Sequence, residues 1–72
     1  PDGWAEAGEV ERLADHYEDR LTEAGFFFPE HKAQSMRRTL RNLWSRMPLT
    51  KADVRIFHGV LRQLVRHRDR RP

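Results

Sequence analysis

The chain has no cysteine. That excludes a disulfide framework and every zinc site built on thiolates. Long apolar runs are missing too. The longest is Phe26-Phe27-Phe28, far short of the ~20 residues of a spanning helix. With no signal-like segment either, the expectation is a soluble, cytoplasmic chain with no membrane contact. There is no glycine-rich phosphate loop and no Gly-x-Ser-x-Gly, and Ser35 and Ser45 have no base and orienter in a nucleophile arrangement. His16, His31, His58 and His67 never stand four residues from another histidine or an acidic ligand set. They read as surface or edge side chains rather than metal ligands. No catalytic residue, metal or cofactor site is expected within the chain itself. Length is the last shortage. Seventy-two residues fill one small domain that buries about 60–65% of its unfolded surface. Packing alone must hold it, by ~3–5 kcal/mol.

What the chain does have is charge, unevenly placed. Residues 1–30 carry 2 basic and 9 acidic side chains, a balance of −7, and residues 31–72 carry 12 basic and 2 acidic, a balance of +10. The net +3 hides this asymmetry, which suits a surface facing a polyanion. It equally suits an acidic half that neutralises the basic half within the fold.

The spacing predicts three helices and no strand, an all-α, small three-helix bundle. In the first, about 7–24, Val10, Leu13, Ala14, Tyr17, Leu21 and Ala24 share a face. Glu6, Glu9 and Glu11 suit the positive end of its dipole. Gly25 is the expected left-handed terminator. At least two of Phe26, Phe27 and Phe28 should plug the bundle end between the first two helices. Pro29 then starts the second helix. Over about 30–47, Ala33, Met36, Leu40, Leu43, Trp44 and Met47 form its apolar face. Arg37, Arg38 and Arg41 flank that face on one side, Lys32 and Arg46 on the other, and no acidic residue occurs between Glu30 and Asp53.

Pro48-Leu49-Thr50 is a break, with Thr50 a good N-cap, Asp53 its partner and Leu49 with Val54 a hydrophobic staple. The third helix, 51–67, has a wide apolar sector: Val54, Ile56, Phe57, Val60, Leu61, Leu64 and Val65. It is expected to be the most buried, touching both others or a partner. Its other side carries Lys51, Arg55, His58, Arg62 and Arg66. Gly59 interrupts that side at a cost of about 1 kcal/mol relative to Ala, so close packing or the approach of a helix or phosphate should require it. Trp44 and Phe57 fall on core faces, a poor place for a base-stacking platform. Trp4 should cap the core or touch a neighbouring domain. The expected division is a linker over 1–6, the helical domain over 7–67 and a basic tail over 68–72. A thin core between a linker-like start and an Arg-rich tail suggests a piece of a longer protein.

The arginines carry the functional signal. Arginine presents a fixed fork of donors that matches phosphate oxygens in pairs. A row of them at helical spacing gives repeated backbone contacts, salt-sensitive and indifferent to sequence. Arg37, Arg38, Arg41, Arg46, Arg55 and Arg62 are the candidate nucleic-acid contacts. The competing reading is a solvated basic face, or one paired with the acidic first helix.

The order of features over about 10–65 resembles one family. An acidic helix ends in Leu-Thr-Glu-Ala-Gly-Phe (21–26), followed by Pro29-Glu30. The basic helix contains Met-Arg-Arg-Thr-Leu-Arg-Asn-Leu-Trp-Ser-Arg (36–46), and the next helix reads Asp-Val-Arg-Ile-Phe-His-Gly-Val-Leu (53–61). This is similar to the C-terminal helical domain of TrmJ-type RNA methyltransferases, in the TrmH/SpoU group of the SPOUT superfamily. The resemblance implies an appendage. In such enzymes a knotted N-terminal domain binds S-adenosylmethionine, dimerises and methylates a ribose 2′-hydroxyl in the tRNA anticodon loop. The helical domain helps hold the tRNA. The family's basic second helix corresponds to Arg37, Arg38, Arg41 and Arg46, and its third-helix Arg and Gly to Arg55 and Gly59. Where the family commonly has Arg before that glycine, this chain has His58, so a permanent charge is missing. The expected partners are tRNA and the catalytic domain of a homodimeric parent.

Two other functions fit the residues. A protein-docking module would use the acidic first helix and the broad apolar third helix. A DNA-binding helix-turn-helix would use the turn at 48–50 with Lys51 and Arg55, but no Asn or Gln stands near that helix start to read adenine.

Overall fold

The first helix starts where carboxylates meet unpaired amides. The Glu6 N–H donates to Glu9 Oε1 at 2.9 Å, and α1 runs Ala7–Glu23. A computed structural model describes residues 3–69, with side chains through 67. Gly25, at φ 78°, ends α1 in the left-handed conformation expected of it. The Phe26 N–H reaches the Leu21 carbonyl at 3.0 Å and the Gly25 N–H the Thr22 carbonyl at 3.2 Å. These two bonds satisfy carbonyls that the helix leaves orphaned. Helix α2, Glu30–Arg46, begins after Pro29, which takes the cap position. Helix α3 is Lys51–Asp69. Its start matches the sequence reading closely. The Asp53 N–H donates to Thr50 Oγ1 and the Thr50 N–H to Asp53 Oδ2, each at 3.0 Å. Leu49 and Val54 are both buried in the core.

The three helices form an all-α bundle with no strand among the described residues. Its Cα extents are 39 × 33 × 14 Å, so the helices lie in one layer. Helix α1 is in the middle and packs against both neighbours, while α2 and α3 do not approach backbone to backbone. The core is Leu13, Ala14, Trp44, Leu49 and Val54, joined by half-buried Val10, Tyr17, Leu40, Met47 and Phe57. Tyr17 ties the helices together. Its ring lies 5.2 Å from Trp44 and 6.3 Å from Phe57, and its hydroxyl donates to the Phe57 carbonyl at 2.8 Å. Trp44 and Phe57 meet edge-on at 5.5 Å, so both serve the core.

Three expectations change. Helix α3 is not the most buried element. Val54 and Leu61 face inward, but Ile56 stays 63% and Leu64 61% exposed, because α3 has a neighbour on one flank only. The phenylalanines do not plug the bundle end. Phe27 is half-buried, while Phe26 and Phe28 stand exposed. No packing need explains Gly59, since a methyl there would meet only Arg62 Nη2, at 4.0 Å.

Residues 3–5, within the stretch read as a linker, are tied down. The Ala5 N–H donates to the Leu49 carbonyl at 2.8 Å and the Lys51 N–H to the Gly3 carbonyl at 3.0 Å. Trp4 bridges Thr50 but keeps 67% of its surface. The basic tail read over 68–72 starts within α3, and its side chains lie outside the described residues. No helix among those described is long and apolar enough to cross a membrane.

Candidate nucleic-acid interface

Helix α1 carries its charges in two rows. Glu11, Asp15 and Glu18 recur at steps of four and three, which puts them on one flank. Arg12, His16 and Arg20 recur at steps of four on another. The acidic flank meets α2, and the basic flank meets α3.

Arg37 and Arg41 are therefore drawn to the α1–α2 seam, where both stay part-exposed. Arg41 donates through Nη2 to Asp15 Oδ1 and through Nε to Glu18 Oε1, the latter at 3.2 Å. The Asp15 hydrogen bond is the main reason that its guanidinium holds its proton more tightly than usual. Arg37 places Nε 3.7 Å from Glu18 Oε2 and its guanidinium over the Phe27 ring at 4.6 Å. Glu18 thus brings two of the six candidate arginines together. Arg38 and Arg46 point elsewhere. Both are exposed, and neither forms an ion pair among the described residues. Arg46 also lines a groove of about 570 Å³ on α2, with Lys32, Phe26, Met36, Leu40 and Leu43. Arg55 and Arg62 are exposed on α3. The six do not make one patch. They separate into a pinned pair, an outer pair on α2 and a pair on α3.

The seam between α1 and α3 gathers basic side chains from both helices. At one end Lys51 Nζ lies 2.6 Å from Glu9 Oε1. That carboxyl is held below its ordinary range, first by the Glu6 backbone N–H and then by Lys51. Further along, His16 Nδ1 and His58 Nδ1 are 2.7 Å apart, with their rings stacked at 4.9 Å. One must donate and the other accept. Burial, then the charges of His16, Arg62 and Arg12, pushes His58 below its ordinary 6.5. Beyond the pair, His16, Arg20, Arg62, Val65 and Arg66 line a cleft of about 190 Å³. Arg20 Nη2 reaches Glu23 Oε2 at 3.1 Å, but its buried Nε has no acceptor. Arg12, Arg62 and Arg66 form no ion pair among the described residues.

The candidate set drawn from the sequence left out Arg12, His16, Arg20 and His58 and included Arg62 without Arg66. The Arg12–His16–Arg20 spacing was the available signal. No group of three or more His, Asp or Glu side chains that could hold a metal occurs among the described residues.

Comparison with known proteins adds one result. A family model described as tRNA methyltransferase TrmJ, C-terminal domain, matches residues 8–72. No curated protein and no solved structure matches the chain.

Proposed function

Since the chain belongs to the family of TrmJ tRNA methyltransferase C-terminal domains, we propose that it holds tRNA for a ribose 2′-O-methyltransferase. The observation that carries this reading is the segregation of charge on α1. Asp15 and Glu18 on its acidic flank are engaged by Arg37 and Arg41, while Arg38, Arg46 and Arg62 stand exposed with no ion pair among the described residues. Arg38, Arg46, Arg55 and Arg62 are the proposed phosphate and sugar contacts, and Arg37 and Arg41 hold α2 against α1. Contacts of this kind give affinity and position, not base recognition. The methyl donor S-adenosylmethionine, the methyl transfer and the homodimer contact are assigned to the parent's catalytic domain. The setting is the cytoplasm.

The test is binding of a tRNA transcript to the chain across a salt series. The logarithm of the affinity should fall linearly with the logarithm of salt concentration. Arg38→Gln with Arg46→Gln should flatten that slope by about one for each phosphate no longer neutralised. Absence of tRNA binding at low salt overturns the proposal.

A docking role on the catalytic domain is the second reading, favoured by the exposed row Ile56, Val60 and Leu64. Self-association of a chain that ignores tRNA would select it. The DNA-reading alternative has less support, because α2 and α3 do not approach backbone to backbone.

A further inference from the structure

Like charges from two helices face each other across the α1–α3 seam. Arg12 and Arg20 stand on one side and Arg62 and Arg66 on the other, about the His16–His58 pair. Guanidinium groups keep their protons at neutral pH. A bound anion would offset their repulsion, and uncharged histidines avoid adding to it. The free protein holds at most one of the two rings as an imidazolium. A Nδ1–Nδ1 contact of 2.7 Å needs one acceptor nitrogen, and two imidazolium rings offer none. Of the carboxylates nearby, Glu23 is engaged by Arg20 and Glu9 by Lys51. Helix α2 brings no compensation, since its Arg37 and Arg41 face the other flank of α1.

The cleft beside the pair is suited to such an anion. Its volume of about 190 Å³ is well above the ~10–15 Å³ that admits a single water. Arg62 and Arg66, one turn apart, offer forked donors. The buried Arg20 Nε is a donor that lacks an acceptor, and such a group calls for an explanation. We propose that this cleft binds one phosphate of the RNA backbone through Arg20, Arg62 and Arg66, and that the His16–His58 pair takes up a proton from water as it binds. The phosphate supplies the acceptor that Arg20 lacks and makes the local potential favour an imidazolium. Binding and protonation therefore strengthen each other. The inference rests on the RNA-holding reading above and adds to it a place and a pH dependence.

The test measures tRNA affinity by fluorescence anisotropy from pH 8 to pH 5.5 at fixed salt. Affinity should rise on acidification by about three- to tenfold per pH unit near the pair's titration, one proton allowing at most tenfold. His58→Asn should remove that slope. Arg62→Gln with Arg66→Gln should weaken binding by about tenfold or more and, without RNA, raise Tm by relieving repulsion. Inorganic phosphate should raise the Tm of the parent chain more than that of this double variant. Arg38→Gln with Arg46→Gln should keep the pH slope at reduced affinity. Binding independent of pH, a slope that survives His58→Asn, or parent-like affinity in Arg62→Gln with Arg66→Gln overturns the seam and leaves the RNA reading standing. A lowered Tm in that variant gives the arginines a structural role and also overturns it. No tRNA binding at low salt overturns both.

Discussion

Gly59 shows how a single residue can be costly without an internal reason. It sits in mid-helix, where glycine is about 1 kcal/mol worse than alanine, and no neighbour crowds it. Gly59→Ala should therefore stabilise the fold by about 1 kcal/mol, a rise of roughly 4–8 °C in Tm for a domain this size, read by thermal unfolding. A lower Tm would mean that the fold itself requires the glycine. The arginines make the complementary point. Arg37, Arg38, Arg41 and Arg46 look alike in sequence, and all lie on the basic second helix. Two are locked to Asp15 and Glu18 and two are exposed. The difference comes from how α2 is rotated against α1, and residue spacing along one helix does not contain it. His16 and His58 were equally hidden, because 42 residues of chain separate partners that meet at 2.7 Å.

At the scale of elements, local chemistry was the most legible. Thr50, Asp53, Leu49 and Val54 act within five residues of one another, so their cap and staple follow from spacing alone. Gly25 likewise ends α1 locally, its own N–H and the next one reaching back to Thr22 and Leu21. Thr50→Ala should lower stability by about 1 kcal/mol with little change in native helicity, measured by urea unfolding followed by circular dichroism. An unchanged midpoint would show that α3 starts without its cap. Burial was less legible. A wide apolar sector says what a helix could cover, not how many neighbours arrive to cover it. Helix α3 has enough apolar surface for two partners and meets one backbone, so the row Ile56, Val60 and Leu64 remains open.

The molecule as a whole is a single layer, 14 Å in its shortest Cα extent, and Leu13 on the middle helix is its one large side chain without solvent contact among those described. The number of helices and their order were readable from periodicity. That α1 would lie between the others was not, since it depends on how three apolar faces meet, and only the acidic row of α1 is drawn to a neighbour by charge, to Arg37 and Arg41 of α2. The layer has a consequence for motion. An amide exchanges with solvent when its hydrogen bond opens, and the parts of an outer helix away from the Trp44–Phe57 contact can open without disturbing the helix beyond the centre. The middle helix can open only when both of its neighbours let go. Native-state exchange in heavy water should therefore be slowest around Leu13, Ala14 and Tyr17, with protection near the global unfolding free energy. The ends of α2 and α3 should exchange sooner, and independently of each other. Two outer helices releasing separately from one shared axis would let each face of the domain yield to a ligand while the other keeps its shape.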